Sequence, residues 1–185
     1  MVPGATSMRI AICLLATLTL LQGLASAQTR NPAPLSPLPP AGFQFAGSWE
    51  CEGAFGNKTT HKSLFTGAVI LQGKWLELTE QDVQPATGYL AKYLIGYDAQ
   101  QKMLVEFDAN NFGAAVYSSA DGWKDNALAM TSPIAEQTGV PYAANRFIYS
   151  VTGKDTFTVD WQVSRKAAID WIQSDHLACS RKSNG

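Results

Sequence analysis

The chain is short of charge, of histidine and of helical patterning, and each shortage removes a class of function. Charged residues make up 16% of the sequence and there are two histidines, His61 and His176. Neither histidine stands in an H-E-x-x-H helix, and the chain has no G-x-S-x-G elbow and no glycine loop that opens a helix to cradle phosphate. The glycine-rich stretch Gly53-Ala54-Phe55-Gly56 follows a strand and reads as a turn. These absences point away from the common catalytic frameworks and towards binding, and no catalytic residue is assigned. The formal net charge is −1, with no concentrated basic stretch. That leaves no electrostatic footprint for nucleic acid and none for a polybasic membrane binder. No apolar run reaches the roughly 20 residues that a bilayer-spanning helix needs, so stable membrane insertion is not expected.

What the sequence does carry begins with an address. Arg9 precedes an apolar run over 10–21, and small residues follow at Ala25-Ser26-Ala27. This order of charge, apolar core and A-x-A site reads as a cleavable secretory signal peptide over 1–27. The expectation is an exported protein, periplasmic or secreted, of 185 − 27 = 158 residues. Cleavage removes Arg9 and Cys13 and leaves 14 − 1 = 13 basic against 15 acidic residues, a balance of −2. The two remaining cysteines, Cys51 and Cys179, meet an oxidising compartment and are expected to pair. Two cysteines alone do not make a structural zinc site, which wants four ligands, and no metal is assigned. Residues 28–42 hold Pro32, Pro34, Pro37, Pro39 and Pro40. They read as an exposed, extended linker, with the folded domain over 43–182.

From Phe43 onward every aromatic residue appears, in short alternating runs separated by turn residues. About ten strands at roughly 8 to 12 residue spacing predict an all-β sandwich or barrel. Asp121-Gly122 is read as a hairpin turn, and residues 132–144, with Pro133, Gly139 and Pro141, as a long loop. Antiparallel strands in succession leave two open edges unless the sheet closes. Pairing the first strand with the last would close it, and a Cys51–Cys179 bridge would fasten that seam.

The residues Gly47-Ser48-Trp49, with Gly53 after them, form a G-x-W opening. Together with Phe65-Thr66-Gly67, the stretch 73–81 and Tyr97-Asp98 they resemble the lipocalin and nitrobindin-like barrels, in particular bacterial lipocalin-like domains of unassigned function. The resemblance spans nearly all of 43–182. It implies a single antiparallel, about ten-stranded lipocalin-like barrel with Gly47 and Trp49 plugging one end. It also implies a small, mostly apolar ligand in the interior, against Trp75, Tyr93, Phe107, Tyr117, Trp161 and Trp171. An alternative is a barrel without ligand, serving in envelope structure or partner binding. The nitrobindin-like group implies another alternative, haem held by the histidine of a final His-Leu pair, here His176-Leu177. Strand alternation opposes it: if Trp49, Cys51 and Cys179 face inward, His176, three residues from Cys179, faces out. Glu77, Glu106, Asp108, Asp160 and Asp170 are expected mainly on solvated strand faces. Acid–base work by an inward pair is the alternative.

Overall fold

The structure, a computed structural model, describes Met1 and residues 33–135, 141–166 and 168–183. Apart from Met1, the signal segment lies outside the described residues, as do 136–140 of the expected long loop. Among the described residues no helix is long and apolar enough to cross a membrane.

The described residues from Ala33 onward form one compact unit built from eleven strand segments. They are β1 (Gly47–Phe55), β2 (Thr60–Ile70), β3 (Trp75–Gln84), β4 (Leu90–Asp98), β5 (Met103–Asn110), β6 (Gly113–Ser119), β7 (Trp123–Lys124), β8 (Ala127–Thr131), β9 (Ala144–Gly153), β10 (Thr156–Ser164) and β11 (Trp171–Arg181). Each strand pairs antiparallel with its chain neighbour, apart from the short step around β7. The stub β7 pairs only with β8, and β6 reaches past it to β8 through Ser118 and Thr131. Ten strands therefore close a lipocalin-like barrel, as the strand count predicts. The remaining seam is β1 against β11, where Cys51 lies directly opposite Cys179 and the two form a disulfide.

Alternation fills the interior, because residues two apart on a strand share a face. Leu76 and Leu78 on β3, Tyr93 and Ile95 on β4, and Phe157 and Val159 on β10 all point inward and are buried. At one end Trp49, Phe65 and Phe157 pack into a solid plug, with Phe157 edge-on to Trp49 at 4.9 Å between ring centroids. The Trp49 indole donates to the Phe45 carbonyl at 2.8 Å. The Arg181 guanidinium lies over the same indole at 4.1 Å and donates to the carbonyls of Gln44 and Ala46.

Two expectations need correction. Residues 33–42 are not a free spacer: Leu35 and Leu38 pack against the core, and the Trp123 indole donates to the Pro37 carbonyl at 3.2 Å. Phe43 and Phe45, just beyond, lie buried over the plug. The segment bends at residues 37, 38 and 40 and turns at 41–42, and the leucines and phenylalanines between and after its prolines give it apolar surface to bury. Gly67 accepts this strap at close range, since a Cβ there would sit 2.3 Å from the Phe45 carbonyl oxygen. The second correction is the hairpin. Asp121-Gly122 bends the chain, but the tight turn between β7 and β8 is made by Asp125 and Asn126, at φ 49° and 65°. Two successive positive φ values suit a two-residue hairpin turn, and Asp and Asn tolerate them well.

Candidate functional site

The end opposite the plug is hollow. A cavity of about 530 Å³ opens where β1, β3, β5 and β10 finish and β2, β4, β6, β9 and β11 begin. At that end the inward phase of several strands turns from apolar to polar. On β2 it runs Phe65, Ser63, His61; on β3 it runs Leu76, Leu78, Glu80, Asp82; on β5 it runs Leu104, Glu106, Asp108. All six of these polar side chains are buried or nearly so.

His61, only 3% exposed, is the centre of this network. Its Nδ1 meets Asp175 Oδ2 on β11 and its Nε2 meets Asp82 Oδ1 on β3, both at 2.8 Å. Gly53 of β1 lies between His61 and β11 with no side chain in the way; a Cβ there would fall 1.7 Å from the His176 carbonyl oxygen. Phe55 stacks on the imidazole at 4.2 Å between centroids. Burial alone would lower the His61 pKa. The hydrogen bonds and charges of Asp175 and Asp82 outweigh it and raise the pKa from 6.5 to about 9, so at neutral pH His61 is an imidazolium held between two carboxylates.

A second chain of hydrogen bonds starts beside it. Ser63 Oγ lies 2.9 Å from His61 Nε2 and shares its one proton between the carboxylates of Glu80 and Asp82, each 3.1 Å away. Tyr93 donates to Glu80 Oε2 at 2.7 Å, and the Tyr89 hydroxyl lies 3.0 Å from that of Tyr93. Thr87 donates to Asp82 Oδ2 from the loop before β4. Burial pushes Glu80 up to about 7, against the opposing hydrogen bonds from Tyr93 and Ser63. Burial also pushes Glu106 up to about 8. Glu106 sits beneath the cavity floor, facing the Tyr149 hydroxyl without a well-formed hydrogen bond on either oxygen. Asp108, on the cavity wall, is raised by burial against a hydrogen bond from Asn110 at 3.0 Å.

Two chemistries suggested by this network can be weighed from geometry. Ser63, His61 and Asp175 have the connectivity of a nucleophile, base and orienting acid. Ser63 Oγ, however, does not line the cavity, and carboxylate oxygens of Glu80 and Asp82 lie 3.1 Å from it, so an oxyanion would be repelled there. His61, Glu80 and Asp82 each offer a donor atom within 4.8 Å of the others, a spacing that a metal ion could bridge. Both imidazole nitrogens are already engaged by carboxylates, and a proton supplies the positive charge that a metal would bring.

The six aromatic residues expected to line the interior divide evenly. Tyr93, Tyr117 and Trp161 line the cavity. Trp75, Phe107 and Trp171 do not: they lie on the outer face. Trp75 stacks on Phe107 at 6.1 Å, Phe107 is 45% exposed, and Arg146 lies over the Trp171 ring at 4.1 Å. On these strands both faces carry apolar residues, so alternation alone did not say which was inner. The aromatic wall also includes Tyr89, Phe147 and Tyr142, which sequence reasoning did not single out.

The expected solvated carboxylates divide as well. Glu77 pairs with Lys92 on the outside, Asp160 meets His176 Nδ1 at 2.7 Å, and Asp170 accepts from Ser164 in the turn before β11. Glu106 and Asp108 point inward instead, in phase with Leu104. His176 lies on the outer face with its side chain 46% exposed. The β-bulge opposite Trp161 and Gln162 begins beyond it, between Asp175 and Gln173, and so does not turn it inward. An interior haem has no ligand in His176, and the carboxylate-rich cavity would repel the propionates of a porphyrin.

No protein-family model matches the chain, and no curated protein matches it. Fold and site together define a closed, lipocalin-like antiparallel barrel with a polar and aromatic cavity at one end.

Proposed function

We propose that this is an exported barrel that binds a small molecule in the cavity around His61. The observation that carries the reading is the hollow end itself. A volume of about 530 Å³ lies within the range of small-molecule sites, and buried polar groups converge on it from β2, β3, β5 and β11. A barrel serving only as structure or as a partner platform has no need to keep carboxylates buried beside an empty volume. The lining also changes the chemistry expected of the ligand. With Glu80, Asp82, Asp108, Asp175, Asn110 and Asn145 among the aromatic residues, the site suits a molecule with an apolar body and a polar group rather than a wholly apolar one. Export is supported by the A-x-A segment and by the disulfide at the barrel seam.

The test is binding of the neutral fluorophore N-phenyl-1-naphthylamine, followed by its emission. Saturable binding to the wild-type protein is expected, together with its loss in Ala115→Trp, which fills the cavity from β6. Absence of saturable binding, or equal binding by the filled variant, overturns the reading.

A further inference from the structure

We propose that the ligand is a small organic cation, an ammonium group on an aromatic or aliphatic body, with Asp108 as its counter-ion. This rests on the reading of the cavity as a small-molecule site and names the class of molecule it takes.

The first support is the charge of the wall. Four carboxylates line the cavity, Glu80, Asp82, Asp108 and Asp175, and among the described residues no lysine or arginine does. The one basic side chain, His61, gives both ring nitrogens to Asp82 and Asp175. An anionic ligand would find no free cation there and would face at least two uncompensated carboxylates.

The second is which acceptor atoms remain unused. Both Glu80 oxygens are taken, by Ser63 and Tyr93, and both Asp82 oxygens, by His61 with Ser63 and by Thr87. Asp108 differs. It is 4% exposed, lines the cavity, and has a hydrogen-bond partner on Oδ1 alone, the Asn110 amide. Its other oxygen has no partner among the described residues. That leaves an acceptor on the cavity wall open to a donor, and hydrogen bonds from a charged donor to a carboxylate are the strong ones. Asp175, also on the cavity wall, has a buried oxygen, Oδ1, without a partner.

The third is the space and the walls around Asp108. Its neighbour on β6 is Ala115, so no large side chain covers the carboxylate from that strand. On β4 its neighbour is Tyr93. Tyr117 and Phe147 meet edge to face at 5.2 Å, and Tyr89 and Trp161 complete the aromatic lining. Aromatic faces attract cations through their quadrupoles, and the attraction grows when water is excluded. A carboxylate in an aromatic box selects positive charge twice over.

The experiment is displacement of N-phenyl-1-naphthylamine from the wild-type protein at neutral pH by three probes of similar size: 2-phenylethylammonium, 2-phenylethanol and phenylacetate. The ammonium is expected to bind at least about tenfold more tightly than the alcohol, and the carboxylate to give no displacement. In Asp108→Asn the ratio of ammonium to alcohol affinity should fall towards one, a ratio taken within one variant and so insensitive to a general loss of affinity. Should that variant fail to fold, the ranking of the three probes on the wild-type protein decides alone. Fluorophore binding with the alcohol equal to the ammonium, or with the carboxylate preferred, overturns the cation assignment and leaves the binding barrel standing. If neither the fluorophore nor the ammonium binds, the small-molecule reading itself falls.

Discussion

His61 shows how one residue can tie three strands together at a cost that must be met locally. An imidazolium with 3% exposure between Asp82 and Asp175 is tolerated only because both of its N–H groups and both counter-charges are in place. Removing one member of such a buried set leaves charge without compensation, which typically costs about 3 to 5 kcal/mol. His61→Gln is therefore expected to lose about 3 kcal/mol in urea denaturation at pH 6. Adding Asp82→Asn to it should recover part of that loss, because the stranded charge goes with it. An additive loss in the double variant would show that the three groups do not act as a unit.

At the scale of the element, the seam between β1 and β11 decides whether there is a barrel at all. Cys51 and Cys179 are 128 residues apart in sequence and face each other across that seam. A cross-link closing a loop of this size is worth about 4 to 5 kcal/mol in the chain-entropy model. Replacing both cysteines by alanine should lower the denaturation free energy by up to that amount, with the β-sheet circular dichroism spectrum retained. No change on replacement would place the closure in the ladder hydrogen bonds and the plug alone. The seam was also the part of the fold most legible in the sequence. Turn residues marked the strands, and the two cysteines marked the first and last of them. The candidate site was less legible, because it depends on register. His61, Asp82 and Asp175 are scattered along the chain, and the pairing that joins them includes a shift between Lys62 and Ser63 on β2. One signal was present: Glu80 and Asp82 continue the phase of Leu76 and Leu78, as Asp108 continues that of Leu104. A polar residue in an apolar phase near a strand end is a reason to look inward. Trp75 and Phe107 misled because aromatic residues occupied the other phase of the same strands.

For the whole molecule, the buried titrating groups act in one direction. His61 is raised from 6.5 to about 9, so its stabilising contribution is complete below pH 6.5 and is lost as pH rises through 9. Glu80 and Glu106 are raised from 4.5 to about 7 and about 8. They too favour the fold when protonated, fully below pH 4.5, and lose that support as pH rises through those values. Asp98 and Asp170, both partly exposed, are lowered from 3.8 by the hydrogen bonds they accept and oppose this trend only in more acidic solution. Stability is expected to be greatest near pH 5 and to fall by pH 9. The loss from His61 alone is about 3 kcal/mol, at ~1.4 kcal/mol for each tenfold change in proton affinity. Urea midpoints measured across pH 5 to 9 check this, and a flat or rising profile would contradict the protonation states assigned to the cavity.

The plug has a kinetic consequence. With Trp49, Phe65 and Phe157 fully buried at one end, the barrel is a blind cup, and whatever occupies it must leave through the mouth by which it came. Entry and exit share a single barrier, so narrowing the rim near Phe112 slows both together. Residence time can then be set at the rim, while affinity is set deeper in the cup, where the carboxylates lie.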